Sequence, residues 1–264
     1  MPAPAVSVQN LYQSHVASWV LKDISFEVKP GEIAVLTGVN GVGKTTLLTT
    51  IAGMISPAKG TVSVFGNRRR CDADEELSAR KDCAYLPDDA WLPAGVTLET
   101  FLAAAGSLFG VPESELPDRI DSLLKLFALD GSRRHDVSSL SAGQKKKAGL
   151  VSVLLSDRRL LMLDEPFSGG LDPAGILAVR RLLKHRAEVN GQTILMTTPV
   201  TELVTELADR LLVLRDGELA FDLTREQIMD SVPEGSSAAT WIEGLVFPDV
   251  HEQVDRFVNL VSAV

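Results

Sequence analysis

Three short stretches carry residues whose types and spacing suit phosphate chemistry. The first is GVNGVGKTT, Gly38 to Thr46. It fits G-x-x-x-x-G-K-[ST], with Gly38, Gly43, Lys44 and Thr45 at the defining positions. Glycines there let the backbone curl so that N–H groups point inward at phosphate oxygens. A helix starting after Gly43 adds a dipole that favours negative charge. Lys44 is placed to reach the β- and γ-phosphates of a nucleotide, and the Thr45 hydroxyl to ligate Mg²⁺. Asn40, Gly41 and Thr46 complete the expected nucleotide-contacting set. The second stretch is LLMLDEP, Leu160 to Pro166. Asp164 leaves the end of an apolar strand, where open α/β sheets place ligands. It is read as a Mg²⁺ ligand acting through water, with Glu165 next to it placed to polarise an attacking water. The third, LSAGQKKK, Leu140 to Lys147, precedes that strand and begins a helix.

Such residues need elements to position them. IAVLTG runs into the phosphate loop as a continuous apolar segment, the pattern of a parallel strand covered on both faces. TVSVFG, CAYLP, LLMLDEP and TILMTT read as similar short strands. KTTLLTTIAGM, DRIDSLLKLFAL, QKKKAGLVSVLLS and AGILAVRRLLKHRAEV carry helical periodicity between them. VSVQN and ISFEV alternate like edge strands, and RLLVLRDGELAFD reads as a hairpin turning at Asp216-Gly217. Alternating strands and helices with short connections predict an α/β layered fold. The stretch from about Thr97 to Gly149 has no clear strand and reads as helical. From about Thr224 the chain carries helical pieces around a VPEGSS loop.

The 264 residues are 45% hydrophobic and 23% charged, enough for one sizeable domain with additions. Net charge is −9, which disfavours broad nucleic-acid binding, where a basic face supplies most of the affinity. Arg68-Arg69-Arg70 and Lys145-Lys146-Lys147 are expected to be solvated faces or phosphate neighbours, not DNA-binding patches. Cys71 and Cys83 lack metal-ligand spacing and read as free thiols in a reducing compartment. No signal peptide is evident in MPAPAVSVQN, and no uncharged apolar run approaches the ~18–20 residues of a membrane span.

With the three motifs in this order, the chain resembles the ATP-binding-cassette (ABC) ATPases over roughly residues 5 to 222. The family signature LSGGQ appears as LSAGQ; Leu140, Ser141, Gly143 and Gln144 match, and Ala142 replaces a glycine. The resemblance implies a P-loop NTPase core with a mostly parallel sheet, an N-terminal antiparallel β subdomain and an inserted α-helical subdomain at about 90–150. The cassette is expected over 1–223 and a helical tail over 224–264. It also implies ATP and Mg²⁺ as ligands, and a second cassette as partner, in a homodimer or heterodimer. Ser141, Gly143 and Gln144 of one cassette would then face the phosphate loop of the other. Separate transmembrane permease subunits would complete a transporter, with this chain peripheral on the cytoplasmic, inner face of the membrane. The YLPDD segment and short tail look most similar to cassettes of bacterial type-two exporters.

Departures from the family pattern stand out. The adenine-stacking position falls on His15, with Tyr12 and Trp19 as alternatives. Asp88 stands where the family has a glutamine, followed by Asp89, Trp91 and Leu92 on the surface expected to grip the membrane partner. FSGGLDP carries one more glycine than usual before Asp172, at the end of the loop expected to cross the dimer interface. Counting back from LADRLLVLRDGEL places Pro199 where the family has its switch histidine. Proline offers no side-chain donor, and none of His15, His135, His185 and His251 lies in that segment. Losing a positioned polar contact typically costs about 10²–10³ in rate, so the pattern predicts slow hydrolysis through the retained Glu165. A cassette that binds ATP without hydrolysing it, and a soluble non-transport ABC ATPase, are the rival readings.

Overall fold

The computed structural model describes residues 3–15, 18–248, 256 and 257. In chain order its elements begin with β1 (Val6–His15), β2 (Ser18–Val28), β3 (Ile33–Thr37), α1 (Lys44–Ile51), β4 (Lys59–Val64) and β5 (Asn67–Arg68). Next come α2 (Ala73–Asp82), β6 (Cys83–Leu86), α3 (Leu98–Leu108), α4 (Leu116–Leu126), α5 (Ala142–Leu154) and β7 (Leu160–Leu163). The chain continues through α6 (Pro173–Glu188), β8 (Thr193–Thr197), α7 (Thr201–Leu207), β9 (Arg210–Arg215), β10 (Glu218–Thr224), α8 (Arg225–Ser231) and α9 (Ala238–Val246).

Two sheets form. One is antiparallel in the order β2-β1-β4-β5; the other runs β10-β9-β3-β8-β7-β6 and is parallel except for the β9–β10 hairpin. This is the expected α/β class. The central strands are apolar throughout because each face meets a different core. Ile33, Val35, Leu161, Leu163, Ile194 and Met196 point into a cluster shared with the helices. Ala34, Leu36, Leu160, Met162 and Leu195 point into a second cluster with the antiparallel sheet and α1. Asp216 and Gly217 both take positive φ, 53° and 79°, the primed turn that suits a two-residue hairpin.

Several expectations need correction. TVSVFG does not join the parallel sheet. As β4 it pairs antiparallel with β1, and its burial alternates, as one exposed face requires. Helix α2 has no apolar stripe and escapes a periodicity reading. Its start is set by Asp72, whose side chain accepts from the Asp74 and Glu75 N–H groups. The basic triplets are not simply solvated faces either. Arg69 is 4% exposed, and its guanidinium donates to the carbonyls of Ile51 (2.9 Å) and Ala52 (2.8 Å) and pairs with Glu76 at 3.3 Å. It thereby closes the C-terminal end of the helix that begins at the phosphate loop. Lys146 is 6% exposed and belongs to the site described below. The tail segment α9 packs on α7, burying Ile242 and Val246, and Glu243 accepts a hydrogen bond from Thr201 at 3.2 Å. Cys71 and Cys83 are free, and burial pushes the Cys83 thiol up to about 12.

Arg69→Ala leaves two helix-end carbonyls and Glu76 without their buried partner. It is expected to cost about 3 kcal/mol in urea unfolding, the range for breaking a buried pair; a loss under ~0.5 kcal/mol would contradict this role for Arg69.

Candidate functional site

Four parallel strands end side by side, and each hands its next residues to one cleft. The register fixes this: Leu86 lies beside Leu163, Leu163 beside Met196, and Leu36 beside Thr197. After β3 comes the phosphate loop, after β6 Asp88, after β7 Asp164-Glu165, and at and after the end of β8 Thr197, Thr198 and Pro199. A cleft of about 470 Å³ is lined by Asn40, Gly41, Gly43, Lys44, Thr45, Thr46, Asp88, Glu165 and Pro199. Most of the residues expected at a nucleotide's phosphates therefore share one wall.

The loop's shape depends on close backbone approaches. Gly38, at φ 151°, lies so near Leu214 that a Cβ would sit 2.5 Å from the Leu214 carbonyl oxygen. Gly43 precedes α1 at φ 112°, turning the loop into the helix. Lys44 is buried, and its ammonium donates to the carbonyls of Gly38 (2.8 Å) and Val39 (3.2 Å). Burial pushes its pKa below the usual lysine range, while Glu165 and Asp164 act in the opposite sense. Those carboxylates therefore help keep a cation on the floor of the cleft.

Asp164 is 1% exposed, just beneath the wall. Its Oδ1 accepts from the Thr197 hydroxyl at 2.6 Å, and its Oδ2 is buried with no partner. An unpartnered buried carboxylate oxygen is costly, and a cation is the ligand that satisfies it. Asp164 and the Thr45 hydroxyl are all-oxygen donors of the kind Mg²⁺ takes, so the residues fit that ion. Glu165 has a φ of 45°, unusual for a non-glycine residue, and its N–H donates to the same Thr197 oxygen at 2.8 Å. Thr197 was not singled out by the motifs. Its signal was present in MTT, where polar residues end an apolar strand.

Asp88 is half exposed but not free. Its Oδ1 accepts from Lys146 Nζ and from Ser168 Oγ, each at 3.0 Å. Pro199 stands on the cleft wall without a side-chain donor, and α7 begins two residues later. His15, Tyr12 and Trp19 lie outside the cleft wall. His15 is exposed at the end of β1, whereas Tyr12 and Trp19 meet edge to face at 5.5 Å with Lys59 over both rings.

The LSAGQ residues also lie off this wall, at the start of α5. Ser141 and Gln144 form a reciprocal cap: Gln144 N–H donates to Ser141 Oγ at 3.3 Å, and Ser141 N–H to Gln144 Oε1 at 3.0 Å. Ala142 opens the helix with negative φ, so alanine costs little there. Gly143 cannot be exchanged so easily: a Cβ would fall 2.8 Å from the Gly170 carbonyl oxygen. Gly169 and Gly170 have φ of 77° and 87°, the left-handed region where the lengthened loop bends. Asp172 ends that loop by capping α6, accepting from Gly175 N–H at 3.0 Å, and pairs with Lys147 at 3.1 Å.

Thr197→Val keeps the side-chain shape and removes the shared oxygen. It is expected to cost about 2 kcal/mol in urea unfolding through two unmet buried groups. Thr197→Ser is expected to stay within about 1 kcal/mol of the starting stability, because the lost methyl is small. Equal losses for both would show that packing, not the hydroxyl, matters.

Comparison with known proteins agrees with this geometry. A family model described as ABC transporter matches residues 21–168. The energy-coupling factor transporter ATP-binding protein EcfA of Methanocaldococcus jannaschii is 32% identical over 81% of this chain and 76% of its own length. The ABC-type transporter ATP-binding protein EcsA of Bacillus subtilis is 30% identical over 81% of this chain and 85% of its own. Among solved structures, an ATP-binding subunit of an ABC transporter is 31% identical, with TM-score 0.78 over 86% of this chain and 92% of that one. A dimeric ATP-binding cassette in a post-hydrolysis state with ADP and Pi, 22% identical, shares the fold at TM-score 0.75 over 83% and 98% of the two chains. The chain belongs to the ABC transporter family and is one of its ATPase cassettes.

Proposed function

We propose that this chain binds MgATP in the cleft at the strand ends and hydrolyses it slowly, powering separate membrane-spanning subunits. The observation that carries this reading is the shared wall of Lys44, Thr45, Thr46, Asp88 and Glu165, with an unpartnered Asp164 oxygen beneath it. The N–H groups from Asn40 to Thr46 and the α1 N-terminus hold the phosphates, and Lys44 turns from its loop carbonyls to reach the β- and γ-phosphates. Thr45 and Asp164 would hold Mg²⁺, which would supply neutralisation of phosphate charge. Glu165, fixed through its backbone by Thr197, orients and polarises the attacking water. Pro199 withholds the hydrogen bond that a histidine would give the γ-phosphate, and this slows the step. Adenine stacks on His15, Tyr12 or Trp19.

Ser141, Gly143, Gln144 and Asp172 serve a second cassette, so that two chains enclose two nucleotides and closure accompanies ATP binding. The membrane partner docks elsewhere. A groove of about 550 Å³ is lined by Tyr85, Trp91, Leu92, Phe101 and Phe109 among others, and Trp91 is 82% exposed. An aromatic side chain that exposed suits an anchor in a partner's pocket. Among the described residues no helix is long and apolar enough to cross a membrane. In this reading the chain sits on the inner membrane face through its partner. Residues 1–223 form the cassette in this assignment, about 90–150 its helical insertion, and 224–264 a tail, of which α9 packs on α7 and 249–255 and 258–264 lie outside the described residues.

Steady-state ATP hydrolysis by the purified chain tests this, with Glu165→Gln as control. Turnover above that control is expected, and Pro199→His is expected to raise it by about ten-fold or more. Bound ATP with no turnover above Glu165→Gln would replace this reading with a cassette that binds without hydrolysing. Trp91→Ala is expected to leave that turnover within about two-fold while reducing recovery of the chain with membranes by about ten-fold. Unchanged recovery would remove Trp91 as the anchor.

A further inference from the structure

An acid on the γ-phosphate side of a nucleotide cleft works against binding, because like charges repel. Asp88 lines the cleft together with Glu165, on the side that the proposed function gives to the γ-phosphate, and Lys146 is its counterpart. Lys146 lies on α5, two residues beyond Gln144, with its side chain 5% exposed. Its Nζ donates to Asp88 Oδ1 at 3.0 Å and to the Asp88 carbonyl at 3.1 Å, and lies 3.5 Å from the Asp164 carbonyl. An ammonium this buried needs an opposite charge, and Asp88 provides it. Ser168 Oγ, three residues after Glu165, lies 3.0 Å from the same Asp88 oxygen and 2.9 Å from the Glu165 carbonyl, so its one proton is shared between the two. The pair thus joins three elements: α5, the loop after β6 and the loop after β7.

We propose that Lys146 is a positioning residue for ATP binding: it neutralises Asp88 on the cleft wall and holds it against the Glu165 loop. Together the two side chains present a neutral polar pair to the cleft. This rests on the cleft being the MgATP site. The effect is specific to the γ-phosphate, because ADP places no charge there.

The test compares binding of fluorescent mant-ATP and mant-ADP, with Mg²⁺, to the full chain and to Lys146→Gln, Lys146→Arg, Asp88→Gln and the double variant Asp88→Gln/Lys146→Gln. Lys146→Gln is expected to weaken mant-ATP about ten-fold and mant-ADP less than about three-fold, since the bare carboxylate faces only the third phosphate. Lys146→Arg, which keeps the charge, and the double variant, which removes both charges, are expected to restore the starting ATP-to-ADP preference. A purely structural lysine would change both affinities alike. The proposal is overturned if folded Lys146→Gln keeps the starting preference, or if the double variant is no better than Lys146→Gln. Should Lys146→Gln fail to fold, the double variant decides: folding with the starting preference supports the pair, and anything else overturns it. An unaltered chain that binds neither nucleotide would overturn the reading of the cleft itself.

Discussion

One oxygen atom organises the chemistry-bearing end of this sheet. Thr197 Oγ1 donates to the Asp164 carboxylate and accepts from the Glu165 N–H, across the joint between β7 and β8. It orients the carboxylate so that Oδ2 remains available, and it holds Glu165 at a φ that an ordinary residue avoids. That bridge exists only because Leu163 and Met196 are paired in parallel register, which brings the next residues of both strands together. The register depends in turn on strands apolar on both faces, since a slip of one residue would exchange the two cores.

A second set of contacts ties α5 to the cleft from the side. Gly143 packs against the Gly170 carbonyl, Lys147 pairs with Asp172, and Lys146 pairs with Asp88. The loops after β6 and β7 and the start of α5 are thus held by backbone contact and by two lysines with mostly buried side chains. A movement of α5 would be felt at Asp88 and at the glycine pair Gly169-Gly170. This arrangement gives α5 a physical connection to the cleft wall within one chain. One close backbone contact and two ion pairs, each with a mostly buried lysine and a half-exposed aspartate, make up this link.

Much of the fold was legible. Continuous apolar runs marked β3, β7 and β8, because parallel strands between two cores leave no polar face. The phosphate loop and Asp164-Glu165 stood out because their glycines and acids interrupt those runs where strands end. Other features depended on long-range contacts that local pattern does not carry. TVSVFG looked like its parallel neighbours, yet pairs with β1, and only the fold reveals its exposed face. Helix α2 has no apolar stripe to read. Arg69 and Lys146 sit in runs of like charge, which normally signal solvent; their partners, Ile51, Ala52 and Glu76 for one and Asp88 for the other, come from separate elements. The docking of α9 on α7 likewise became visible only in three dimensions.

Asp164, held by Thr197, leaves one buried oxygen for the proposed divalent cation beside the phosphate loop. Electron paramagnetic resonance of Mn²⁺, a hard cation that takes the same oxygen ligands, tests it on the full chain with ADP present. A protein-bound Mn²⁺ signal with coupling to phosphate phosphorus is expected, lost or weakened about ten-fold or more in Asp164→Asn. An unchanged signal in Asp164→Asn would contradict it.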